Sequence, residues 1–128
     1  MNKRKSILVT SGSKRLGKHI SKFFVMNDWD LILHYNNSKV EAEETANELS
    51  LYSKNIKLYQ ADFTNYEDVE NLVENLLLKE KEWIGLVNNA GLFEYDTGQG
   101  FTVEKLNRHM SINFSTPAIL IQALYKNI

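Results

Sequence analysis

The sequence predicts an α/β fold: a four-stranded parallel sheet, strand order 3-2-1-4, with helices on both faces. Three observations predict it. Short apolar runs alternate with segments of helical period along the whole 128-residue chain. The runs end abruptly in polar stretches. The first run, Ile7-Leu8-Val9, leads through the small-residue turn Thr10–Gly17 straight into a helix. Alternation of this kind forces right-handed crossovers and parallel pairing.

Each element has a local reason. Ile7-Leu8-Val9, with charge before it and Gly/Ser after it, reads as a buried strand. The first helix is expected from about Lys14 to Met26, with Leu16, Ile20, Phe23 and Phe24 as its apolar positions and Asn27-Asp28 as its stop. The second strand is Asp30–Tyr35. Ser38-Lys39-Val40-Glu41 reads as a capping box, opening a helix that runs to about Tyr52 with Ala42, Ala46 and Leu49 on one face. The third strand is Ile56–Ala61. Thr64-Asn65-Tyr66-Glu67 reads as a second capping box, followed by Val69, Leu72, Val73 and Leu76 at helical spacing. The fourth strand is about Ile84–Asn88. The last helix is expected from about Val103 to near Tyr125, with Leu106, Met110, Phe114, Leu120, Ile121 and Leu124 on its buried side.

Composition narrows the function classes. The length fits one domain, residues 1–128, with an ordinary share of hydrophobic residues, 43%. A formal charge of −1 gives no reason to expect a nucleic-acid or membrane surface as partner. Without cysteine there is no disulfide framework and no thiolate metal site, which fits a cytoplasmic protein. Asn2-Lys3-Arg4-Lys5 is basic, but the apolar run behind it is too short for an export signal. His19, His34 and His109 share no metal-ligand spacing and read as surface or packing residues; no metal site is expected.

In such a sheet, ligands bind beyond the carboxyl ends of the strands. The stretches Thr10–Gly17, His34–Ser38, Asp62-Phe63 and Asn88–Gly91 all fall there. The backbone N–H groups of Ser13 to Leu16 stand at a helix start, where a phosphate is favoured. The Arg15 guanidinium matches phosphate geometry. The second strand ends in His34, Asn36, Asn37 and Ser38, with no carboxylate to hold ribose hydroxyls. With the place beside the adenosine 2′-phosphate that the family resemblance given next implies for Arg15, these favour NADP(H) over NAD(H) as cofactor. Pro117 denies the Asn113 carbonyl its usual donor, so a kink is expected there, leaving an acceptor and a side-chain amide at one spot.

The same stretches, in the same order, resemble the short-chain dehydrogenase/reductase family, and most its pteridine-reductase-like branch. Thr10-Ser11-Gly12-Ser13-Lys14-Arg15-Leu16-Gly17 is similar to the branch's TGxxKRxG, and His34-Tyr35-Asn36-Asn37-Ser38 to its HYxxS. Asn88-Asn89-Ala90-Gly91 matches the NNAG signature, and Arg108–Phe114 looks like the helix that carries the family's active-site Asn. Ser11 departs from the usual first glycine and Asn37 from the branch's frequent Arg.

The resemblance implies a partial Rossmann fold and a nicotinamide dinucleotide held by Gly12, Ser13, Lys14, Arg15, Leu16, Gly17, His34, Asn36, Asn37, Ser38, Asp62, Phe63, Asn89, Ala90 and Gly91. It places Arg15 near the adenosine 2′-phosphate and lets Asp62 accept from the adenine amino group. The Asn89–Gly91 backbone would lie against the cofactor ribose, with Asn88 and Asn89 bridging strands. Asn113 becomes the one catalytic residue, holding a water. The implied activity is reduction of a carbonyl or pterin-like substrate. Family members are about twice as long, and their other half carries the catalytic Ser and Tyr-x-x-x-Lys pair. This chain is therefore expected to be truncated, to hold no such pair, and to be inactive alone. Tyr95 reads as a loop aromatic that packs locally.

Three function classes follow: an oxidoreductase completed by a second chain, a non-catalytic nucleotide-binding fragment, and a receiver-type signalling domain. The last needs an acidic cluster after the first strand, where this chain has Thr10-Ser11-Gly12. An exposed fourth strand, Ile84–Val87, and an uncovered last helix predict a homo-oligomer.

Overall fold

The computed structural model describes residues 4–94 and 97–128. In chain order its elements are β1 (Ser6–Val9), α1 (Arg15–Met26), β2 (Asp30–Tyr35), α2 (Lys39–Leu49), β3 (Ile56–Gln60), α3 (Tyr66–Lys79), β4 (Trp83–Val87), α4 (Val103–Met110), a π-helical turn (Ser111–Ser115) and α5 (Thr116–Asn127). The strands form one parallel sheet in the order β3-β2-β1-β4, as the alternation predicts. Val9 stands beside Leu33 on one side and Val87 on the other, so the strands end at one common edge.

Alternation along each strand sends side chains to two cores. Ile7, Val9, Leu31 and Leu33 pack with Val25, Ala42 and Leu49, under α1 and α2. Leu8 and Ile32 pack with Val69, Leu72, Leu76, Leu120 and Ala123, under α3 and α5. Covered on both faces, β1 and most of β2 are buried runs. At the amino edge, the buried Glu80 carboxylate accepts from Tyr59 Oη and Lys57 Nζ. Burial and the Glu80 contact raise the Tyr59 pKa. No helix among the described residues is long and apolar enough to cross a membrane.

The helices differ from the expectation in instructive ways. The buried face of α1 is Gly17, Ser21 and Val25, while Leu16 and Phe23 are exposed. Small residues at i, i+4 and i+8 bring this helix close to the sheet, which a Leu/Phe face could not do. Ser38 stands at the start of α2 without capping it; its Oγ accepts from Lys14 Nζ at 3.0 Å instead. Asn65, not Thr64, caps α3, through Asp68 N–H at 3.2 Å. Thr64 is drawn away by Asp62 Oδ1, which accepts from both its N–H and its hydroxyl.

The expected last helix is interrupted. Thr116 N–H donates to the Ser111 carbonyl, five residues back, and Pro117 follows with no N–H to give. The kink expected at Pro117 thus takes the form of a π turn. The extra residue rotates the face downstream. Thr116, Leu120 and Ala123 are buried, whereas Leu106, Met110, Phe114 and Ile121 of the expected buried side are exposed.

Candidate functional site

The site is built where the strands end, because the peptide groups there have lost their ladder partners. Thr10 is buried and satisfies several at once. Its Oγ1 accepts from Asn89 N–H at 2.9 Å and Ala90 N–H at 2.8 Å, and donates to the Val87 carbonyl at 3.4 Å. Asn89 Nδ2 donates to the Ser11 carbonyl at 3.2 Å, so the expected bridging by Asn89 joins the ends of β1 and β4.

Ser11 has φ 49°, a left-handed conformation. Its N–H donates to His34 Nδ1 at 3.0 Å, and the next N–H, of Gly12, donates to the His34 carbonyl at 3.1 Å. Gly12 leaves no room for a side chain: a Cβ would lie 2.9 Å from Ser21 Oγ. Gly17 is tighter still, since a Cβ there would lie 2.0 Å from the Ser11 carbonyl oxygen. Ser13 is buried, its carbonyl accepting from Thr45 Oγ1. Beyond it Lys14, Arg15 and Leu16 are exposed, and Arg15 again is left-handed at φ 54°. Lys14 at the start of α1 provides no side-chain cap for the first N–H groups of that helix.

His34 lies behind this turn rather than on the surface. Its ring is 2% exposed and stacks on Phe63, centroids 4.0 Å apart. With Nδ1 accepting from Ser11, Nε2 carries the proton and donates to the Ala61 carbonyl at 2.9 Å. Burial lowers its pKa to about 4, against the weaker raising effect of the Ala61 contact. Phe63 is also buried, and its carbonyl accepts from Thr116 Oγ1. Asp62 has one carboxylate oxygen engaged by Thr64. Asn36 accepts from Gln60 Nε2 through its side chain, and Asn37 is exposed.

Two adjoining hollows run along this edge. One, of about 170 Å³, is lined by Ser11, Ser13, Lys14, Tyr35, Asn36, Asn37 and Ser38. The other, of about 140 Å³, is lined by Ser11, His34, Asn36, Ala61, Phe63, Ala90, Gly91 and Ile112. A Cβ on Gly91 would meet only Asn113 Oδ1, at 3.6 Å, so the backbone there is open to a close neighbour. Larger hollows lie at the amino edge, but their charged walls include Arg4 paired with Asp30 and Lys57 paired with Glu80.

Asn113 holds the loop after β4. Its Oδ1 accepts from Leu92 N–H and its Nδ2 donates to the Leu92 carbonyl, both at 2.8 Å. Sequence reasoning missed two neighbours that do the same. His109 Nε2 accepts from Glu94 N–H at 3.1 Å, and Arg108 makes a two-pronged contact with the Glu94 carboxylate. Arg108 holds the Glu94 carboxyl below its ordinary pKa. His109 and Asn113 are four residues apart on one helix face, a spacing that could have flagged them. Asn88 is exposed. Tyr95 lies outside the described residues.

One pair contradicts the expectation that no Tyr-x-x-x-Lys occurs: Tyr35 and Lys39 have that spacing. They do not share a helix. Tyr35 ends β2 and Lys39 begins α2, where it faces Glu43 at 3.9 Å. In sheet order they lie two strands away from the β4 side, where Asn113 holds Leu92.

The arrangement fits a dinucleotide: a helix start with no side-chain cap, a glycine turn packed too tightly for side chains, and an open Gly91 backbone. The comparisons agree. Residues 5–128 match the short chain dehydrogenase family, and the chain belongs to it. An uncharacterized oxidoreductase of Bacillus subtilis, YmfI, is 31% identical over 96% of this chain and 52% of its own length. The structure of FolM alternative dihydrofolate reductase 1 from Brucella canis, complexed with NADP, is 30% identical with a TM-score of 0.84, covering 97% of this chain and 50% of that one. A blue fluorescent protein from a metagenomic library, in complex with NADPH, superposes with a TM-score of 0.87 at 28% identity, covering 95% and 50%. The chain spans about half the length of the curated relatives it matches.

The buried ring makes stability pH-dependent. His34 is held neutral in the fold with a pKa of about 4, whereas the unfolded ring titrates near its ordinary value of 6.5. The unfolded state therefore binds more protons between these values. This contribution is full above pH 6.5 and is lost as pH falls toward 4, amounting to about 3 kcal/mol. Urea unfolding midpoints measured at pH 7.5, 6.5 and 5.5 are expected to fall with pH in the wild type, and to fall less in His34→Gln.

Proposed function

We propose that this chain is the cofactor-binding half of an NADP(H)-dependent reductase acting on a carbonyl or pterin-like compound. The observation that carries the cofactor choice is the contact of Lys14 Nζ with Ser38 Oγ, across a hollow that no carboxylate lines. A 2′-phosphate there would meet Lys14, with Arg15 exposed beside it, and no repelling charge at the end of β2. Gly12, Ser13, Leu16 and Gly17 shape the approach to the pyrophosphate, and Asn36, Asn37 and Ser38 serve the ribose side. Asp62 and Phe63 stand toward the adenine, and Asn89, Ala90 and Gly91 toward the nicotinamide ribose. When bound, the cofactor supplies the hydride. The NADP named with the Brucella protein, and its dihydrofolate reductase description, support both the cofactor and the pterin-like class. Titration calorimetry is expected to give at least about tenfold tighter binding of NADPH than of NADH, with Lys14→Ala and Arg15→Ala each weakening NADPH more than NADH. Equal affinity for the two would overturn the choice.

The chain alone is proposed to bind without reducing. Hydride delivery leaves an alkoxide that needs an acid, which in the family is a Tyr with its pKa lowered by a Lys. Here Tyr59 has its pKa raised beside Glu80, and Tyr35 lies on β2, away from β4. Asn113 would position a water beside Leu92, but an amide cannot replace a phenol as the acid. The acid and its lysine would have to come from outside these 128 residues, as a second chain of a split enzyme would supply them. NADPH oxidation with quinones, dihydropterins and 3-ketoacyl substrates is expected to stay at background. Turnover that Asn113→Ala abolishes would refute this.

The reading also includes self-association in a cytoplasmic protein. Val103, Leu106, Met110, Phe114, Ile121 and Tyr125 are exposed along α4 and α5, and Ile84 is exposed on β4, an end strand of the sheet. Light scattering at micromolar concentration is expected to give a dimer or larger; a monomer would count against it.

A further inference from the structure

His34 sits where four segments meet, and each of its polar groups is used. The ring nitrogen Nδ1 takes the Ser11 N–H, the carbonyl takes the Gly12 N–H, and Nε2 gives its proton to Ala61 at the end of β3. The ring face lies on Phe63, interplanar angle 10°. Ser11, which carries a Cβ, is left-handed at φ 49°, and the His34 ring is the side chain that holds its N–H there. Asn89 holds its carbonyl from the other side, at 3.2 Å. That carbonyl is also what the first turn of α1 packs on, through the bare Cα of Gly17. If Ser11 relaxed to an ordinary conformation, its carbonyl would swing and the start of α1 would lose its seat.

We propose that His34 is a positioning residue for the phosphate-binding turn: its Nδ1 holds Ser11 in the conformation that a glycine would adopt without help. His34 touches no ligand in this scheme. It acts through Ser11 on the N–H groups at the start of α1. A histidine suits the task because it accepts at one ring nitrogen and donates at the other, bridging β1 and β3 across β2. The low pKa that burial imposes keeps the accepting nitrogen free of a proton at neutral pH. This inference rests on the reading of the turn as a dinucleotide site, and its test is arranged to fail separately from that reading.

The test is a double-mutant cycle. His34→Phe keeps the ring volume and the stack on Phe63 but removes both ring nitrogens. Ser11→Gly removes the need for restraint, since glycine adopts positive φ freely. NADPH affinity is measured calorimetrically on the 128-residue chain for the wild type, both single variants and the double variant. His34→Phe is expected to weaken NADPH about tenfold in the Ser11 background and less than threefold in the Ser11→Gly background. A merely structural loss would be equal in both, and that result overturns the inference. Amide chemical shifts of Arg15 to Lys18 provide a readout without ligand. They are expected to move in His34→Phe and to return toward wild-type values in the double variant; unchanged shifts in His34→Phe overturn the inference. If the wild type binds no NADPH, the cofactor reading falls, and these shifts alone judge His34. Should His34→Phe fail to fold, a folded double variant supports the positioning role, and an unfolded one overturns it.

Discussion

A parallel strand ends in peptide groups that its neighbours cannot pair, and this structure depends on how those groups are met along one edge. Side chains do it. Thr10 serves the ends of β1 and β4, Asn89 ties the same pair through Ser11, and His34 ties β1 to β3 across β2. Among the described residues, no buried side-chain nitrogen or oxygen lacks a partner. At the start of α1, by contrast, no side chain caps the first backbone donors. The proposed phosphate contact would use these donors.

The closeness of α1 to that edge is the second half of the arrangement. Gly12, Gly17 and Ser21 leave the helix and the turn almost in contact, with the Ser21 hydroxyl donating to the Gly12 carbonyl at 3.1 Å. Such packing transmits strain rather than absorbing it. Left-handed Ser11 and Arg15 bracket the turn, and the residues between them have no slack to relieve either. The exposed positions Lys14 and Arg15 are therefore presented from a rigid base, which is what a selective contact to a phosphate needs.

Much of this was legible in the sequence because it follows from period. Strand runs, crossovers and sheet order needed only apolar spacing, and the polar stretches lie together at the carboxyl ends of the strands. What period could not reveal is which partner a polar side chain chooses. Ser38 and Thr64 both had the spacing of caps, yet Lys14 and Asp62 took them. His34 read as a surface or packing residue and, through the resemblance, as a cofactor contact; what the sequence did not show is that its ring meets a partner 23 residues away. The hold of Arg108 and His109 on Glu94 joins a helix to a loop whose path no periodicity predicts, and only the four-residue spacing of His109 and Asn113 hinted at it.

The π turn explains the remaining mismatch and gives α4 and α5 their two-sided character. An extra residue in one turn rotates everything downstream relative to a regular helix. The apolar positions of α4 therefore do not continue into the buried face of α5. Leu120 and Ala123 close the core, while Met110, Phe114 and Ile121 stay outside it. The two edges of the sheet differ in the same sense. β3 shows solvent Lys57 and Gln60, polar groups of the kind that discourage pairing, whereas β4 shows Ile84. Exposed apolar residues of α4, the π turn and α5 thus add to that of β4. Asn113, within the π turn, holds the loop that borders the site.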